Sequence, residues 1–87
     1  MFTAKPGEFS TWPTTHYFRN DVLVKRPYLR LEWCVAAIAS PVHRQDQPDG
    51  RIRKWVFVPE LSKYLRVVTL DDGKTLHNAF PGRRFKP

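Results

Sequence analysis

The stretch YLRVVTLDDGKTLHNAFPGRRF, residues 64–85, places one imidazole and three guanidiniums in a single short span: Arg66, His77, Arg83 and Arg84. These side-chain types suit chemistry on a phosphodiester. Cleavage of RNA by attack of its own 2′-OH needs a base, an acid and positive charge for a phosphorane-like transition state, and it needs no metal. An imidazole titrates near neutrality and can serve as either proton carrier. Guanidiniums stabilise charge on the scissile phosphate. His77 is therefore the first catalytic candidate, Arg66, Arg83 and Arg84 are candidates for holding phosphate, and His16 is a candidate second acid or base. His43 has no assigned role, and Asn78 is expected to make a local structural hydrogen bond.

Position depends on register. Asp72-Gly73 between two apolar runs predicts a hairpin with a two-residue type I′ turn. Counting outward sets Thr69 opposite Leu76, Val68 opposite His77, Val67 opposite Asn78 and Leu65 opposite Phe80. Alternation of side chains then places Leu65, Val67, Leu76 and Phe80 on a dry face, and Tyr64, Arg66, Val68 and His77 on the other. Arg66 becomes a diagonal neighbour of His77. The run IRKWVFV, residues 52–58, extends both faces: Ile52, Val56 and Val58 inward, Arg51, Arg53, Trp55 and Phe57 outward, with Lys54 out of place among the inward set. Cations contact phosphates and exposed rings stack on unpaired bases, so Arg51, Arg53, Trp55 and Tyr64 join Arg83 and Arg84 as nucleic-acid-binding candidates. The competing expectation buries Trp55 and Phe57 beneath the N-terminal arm, since large rings are usually buried.

The elements that must carry these groups are legible in outline. Residues 1–14 contain three turn-forming Pro and Gly residues without periodicity and read as an extended arm, pinned by Phe9 or Trp12. Residues 15–87 read as one domain. Thr14 or Thr15 can cap a first helix, which Arg26 before Pro27 should end. A second helix is expected from Pro27 or Tyr28 to Ser40, with Leu31, Cys34, Val35 and Ile38 along one stripe. Cys34 on that stripe reads as a small buried hydrophobe. A weak polar strand over 42–47, a turn at QPDGR and three further strands follow. The fold class is α+β: two N-terminal helices packed on one face of a three- to four-stranded antiparallel sheet.

Composition narrows the alternatives. At 87 residues the chain is near the lower limit for a single core, so most of it must share that core. One cysteine excludes an internal disulfide and any multi-cysteine metal site, and no zinc spacing, Gly-rich phosphate loop or Ser/His/Asp arrangement is present. No cofactor or metal is expected. Without an apolar run long enough to span a bilayer, and without a signal-peptide core, no membrane partner is expected and a cytoplasmic location is. The formal charge of +7 is uneven: six Lys/Arg against five Asp/Glu in residues 1–50, nine against three in residues 51–87. That asymmetry favours a polyanionic partner, RNA first, over solubility alone. A non-catalytic nucleic-acid-binding module and a protein-interaction domain with an acidic partner are the other readings of the same surface.

The segment YLRVVTLDDGKTLHNAF followed by RRF, together with HYFRNDVL, AAIASP and DGRIRKW upstream, resembles small RelE-like toxin domains of the barnase/EndoU/colicin/RelE grouping. The resemblance spans about residues 16–86. It implies a helix-helix-sheet ribonuclease fold, metal-independent RNA cleavage and an antitoxin protein as partner. Carried over residue by residue, it points to His16, Arg66, His77, Arg83 and Arg84.

Overall fold

A computed structural model describes residues 11–82 and 85–86. The sheet follows from alternation. β1 (His43–Asp46), β2 (Ile52–Val58), β3 (Lys63–Thr69) and β4 (Leu76–Gly82) form one antiparallel meander in the order β1-β2-β3-β4. Every strand is joined to the next by a short connection, as antiparallel pairing allows. The polar β1, exposed along its whole length, forms one edge. At the other edge β4 carries Pro81, tolerated where no further strand needs its missing N–H.

Cross-strand pairing sorts the side chains. Ile52 lies opposite Thr69, Lys54 opposite Val67, Val56 opposite Leu65, and Val67 opposite Ala79. Leu65, Val67, Thr69, Leu76 and Ala79 are fully buried. Leu65, Val67, Leu76 and Ala79 join Phe18, Val22, Leu29, Cys34 and Ala37 from the helical half in one apolar cluster. Lys54, which looked misplaced among apolar neighbours, is itself buried, and its Nζ donates to the Ile38 carbonyl at 3.4 Å. It thus satisfies a last-turn carbonyl of the second helix that the helix leaves without a partner. The methylene stem packs in the cluster layer while the ammonium meets the helix end.

The helices depart from expectation in detail. Thr15 caps the first: its Oγ1 accepts the Phe18 N–H at 3.1 Å. The body of that helix is a π-helical turn (Phe18–Val22) leading into α1 (Leu23–Lys25), with the Leu23 N–H reaching back five residues to the Phe18 carbonyl. The Asn20 side chain donates to the His16 carbonyl, the acceptor that the Asn20 backbone N–H would use in an α-helix. The helix ends at Arg26, as the following proline requires. α2 (Leu31–Ala39) begins later than the sequence pattern suggested. Residues 26–29 form a turn closed by the Leu29 N–H on the Arg26 carbonyl, which places Leu29 in the core before α2 starts.

Of the arm, residues 1–10, including Phe9, lie outside the described residues. Its end is tied down: the Trp12 indole donates to the Lys74 carbonyl, Leu76 N–H donates to Pro13, and Thr15 N–H donates to Leu76. Residues 13–15 therefore run beside the free edge of β4. Among the described residues, no helix is long and apolar enough to cross a membrane.

Candidate nucleic-acid interface

The face of the sheet that carries neither Leu65 nor Val67 is built in rows. Phe80, Arg66, Trp55 and His43 lie opposite one another across all four strands. On one side of this row stand Asn78, Val68, Arg53 and Gln45; on the other, Gly82, Tyr64 and Phe57. No carboxylate occupies any of these positions. Asp46 projects from the opposite side of β1 and pairs with Arg44, whereas Asp49, Asp71 and Asp72 sit in turns.

The register differs from the two-residue hairpin count. The turn closes with Leu70 N–H on the Thr75 carbonyl and Gly73 N–H on the Leu70 carbonyl. Only Gly73 has positive φ there, so the loop is not type I′. The Asp72 carboxylate organises it by accepting from the Lys74 and Thr75 N–H groups and the Thr75 hydroxyl. Thr69 does lie opposite Leu76, but the ladder then shifts by one residue between Val68 and Thr69. Beyond that bulge Val68 faces Asn78, Val67 faces Ala79 and Arg66 faces Phe80. The expected pairs Val68/His77, Val67/Asn78 and Leu65/Phe80 do not form, and Arg66 is not the diagonal neighbour of His77. A bulge residue is left without a partner and its side chain is re-aimed. Here that residue is His77.

His77 turns toward the first helix. Its Nδ1 lies 3.1 Å from Thr15 Oγ1, and its ring centroid lies 5.2 Å from that of Tyr17. The Thr15 oxygen also accepts the Phe18 N–H, so one hydroxyl joins the His77 ring to the cap of the first helix. Partial burial pushes His77 below the usual histidine range; the Arg51 guanidinium acts in the same direction and Asp49 opposes it. The residue of the first turn that meets His77 is thus Tyr17; its neighbour His16 is exposed.

Arg66 is the central cation of the face. Its Cζ lies 4.0 Å from the Phe80 centroid, a close cation–π contact. Burial, then the charge of Arg53, pushes its pKa down, although a guanidinium stays protonated at any ordinary pH. Its Nε is buried without a hydrogen-bond partner. Arg53 is held by neutral acceptors. Its Nη1 donates to Gln45 at 3.2 Å, and the Gln47 amide oxygen, oriented toward it, accepts from Nη2 and Nε. Its charge is therefore positioned without being neutralised. Arg51, by contrast, lies in the β1–β2 turn against Asp49, with 3.9 Å between the charged atoms.

The aromatic rings are only partly available. Trp55 projects from this face as expected but is 6% exposed. The open surface expected of it is not found, and most of the N-terminal arm expected to cover it lies outside the described residues. Phe85 stacks on it at 4.7 Å and 11°, and also contacts Tyr64 and His43. Phe57 is 45% exposed and sits edge-on to Tyr64. Arg83 and Arg84 lie outside the described residues. Asn78 Oδ1 accepts its neighbour's N–H, the local bond expected of it, though its position is beside Val68 rather than on the dry side. Phe80, expected on the dry face, lies instead opposite Arg66 because of the bulge, and sequence reasoning gave no site role to Phe85, His43 or Arg26. Arg26, the residue that ends the first helix, has its Cζ 5.8 Å from the Phe80 ring. The RxF spacing of Arg83 and Phe85 signalled a ring near the basic pair, but not its target.

No family model, curated protein or solved structure matches the chain.

Proposed function

We propose that the protein binds single-stranded RNA on the sheet face of Arg53, Arg66, Phe57 and Tyr64, with both helices covering the opposite face. The observation that carries this reading is the composition of that face: two arginines and four aromatic rings among the strand positions, with no carboxylate. Phosphates supply affinity through cations, and bases supply it through exposed rings such as Phe57. Salt-dependent fluorescence anisotropy with a labelled single-stranded RNA tests it. Affinity should fall steeply between about 0.05 and 0.2 M salt, and Arg53→Gln should reduce the slope of log affinity against log salt by about 0.7. Equal affinity at both salt concentrations would reject the reading in favour of a protein partner.

A second reading has its own support: a metal-independent endoribonuclease of RelE-like toxin type. His77, held neutral beside Arg51 with Nδ1 engaged by Thr15, has the protonation state of a general base at neutral pH. In that chemistry the base takes the 2′-OH proton, the 2′ oxygen attacks phosphorus, and the 5′ oxygen leaves with a proton from an acid. His16 is the candidate acid, and Arg66 would bind phosphate away from His77. Incubation with total RNA, with and without EDTA, separates the two. Binding without turnover supports the first reading. Cleavage that survives EDTA and is lost in His77→Ala supports the second.

A further inference from the structure

The rim of the sheet beside β4 presents two cations that converge on one ring. Arg26 Cζ lies 5.8 Å and Arg66 Cζ 4.0 Å from the centroid of Phe80. They come from distant parts of the chain, the end of the first helix and the middle of β3, and packing of the first helix along β4 brings them together. Among the described residues neither makes a salt bridge; Arg30, Arg44 and Arg51 each have a carboxylate. Partial burial against the ring strips water from the Arg66 guanidinium, and the like charge of Arg53 adds to its cost. An arrangement of this kind is relieved by an anion.

We infer that Arg26, Arg66 and Phe80 form a phosphate clasp, which on the reading of RNA binding above holds a backbone phosphodiester at the β4 rim of the sheet. The ring supports the flat face of a guanidinium, and stacking of that kind leaves the in-plane N–H groups at its edge for a bidentate acceptor. For Arg66, Nε is the buried N–H without a partner, so the Nη groups are the ones a phosphate oxygen would meet. A strand gripped at Phe80 and crossing the row Phe80–Arg66–Trp55–His43 runs across the β-strands rather than along them.

Two measurements test this. In the first, salt dependence of RNA binding is compared for the wild type, Arg26→Gln, Arg66→Gln and the double variant. Each single change should lower the slope by about 0.7 and the pair by about 1.4. In the second, which needs no variant to fold, inorganic phosphate is titrated into the wild-type protein at constant ionic strength while the arginine side-chain NMR signals are followed. Those of Arg26 and Arg66 should move more than those of the salt-bridged Arg30 and Arg44. RNA binding whose slope is unchanged in a folded double variant overturns the clasp and leaves the RNA reading standing. Absence of RNA binding with a selective phosphate response does the reverse. Uniform movement of all four arginines overturns the clasp outright.

Discussion

His77 shows how one residue's environment can be assigned its consequences. It is tied to the cap of the first helix through Thr15, beside Tyr17 and within the field of Arg51. Its folded pKa is lowered, whereas in the open chain it titrates near about 6.5. Above that pH the ring is neutral in both states and the contact is intact. As pH falls below it, the unfolded chain takes up the proton first, so stability declines until the folded ring is protonated as well. Urea unfolding of the wild type and His77→Gln at several pH values checks this: the substituted protein should lose less stability on acidification below about pH 6.5. Parallel curves would dismiss the assignment. Cys34 shows the opposite case of an inert group. Burial pushes its thiol up to about 12, in keeping with a small core hydrophobe.

At the level of elements, the two hairpins share a device. Both loops close with a glycine at positive φ, Gly50 and Gly73, and both use an aspartate to hold the following N–H groups. The β3–β4 loop matters more, because its geometry decides where the ladder begins and hence where the bulge falls. Asp72→Ala removes three acceptor contacts from an exposed loop and should cost about 1 kcal/mol once solvent screening is allowed for. Thermal unfolding gives that number. Two-dimensional NMR should also show shifts concentrated in residues 70–77, and a response spread evenly over the sheet would contradict the local role given to Asp72.

Across the whole molecule, the segments that flank the core elements are fastened over the sheet from opposite sides. Residues 12–15 hold the β4 edge through Leu76 and Lys74, and Phe85 crosses back over Tyr64 and Trp55 to His43 in β1. In a domain this small, few contacts are dispensable. Phe85→Ala should therefore lower stability by about 2 kcal/mol, from lost burial and stacking together. Acrylamide quenching of tryptophan fluorescence should rise in the same variant as Trp55 is uncovered. Unchanged quenching and an unchanged melting temperature would mean that the stack contributes nothing. The net charge of +7 bears on partners rather than on fold.

Local rules reached far in this protein. Proline placement ended the first helix at Arg26, Thr15 supplied its cap, and period-two alternation separated Leu65 and Val67 from Tyr64 and Arg66. The α+β class, the antiparallel strands and the burial of Cys34 follow from the same short-range physics. Two decisions were not local. One extra residue in β4 moved His77 away from Arg66, and Phe85 covered Trp55. Periodicity reports which face a side chain takes, but each of these outcomes depended on energies between groups far apart in the chain, or on a one-residue slip that alternation cannot detect until a partner strand is present.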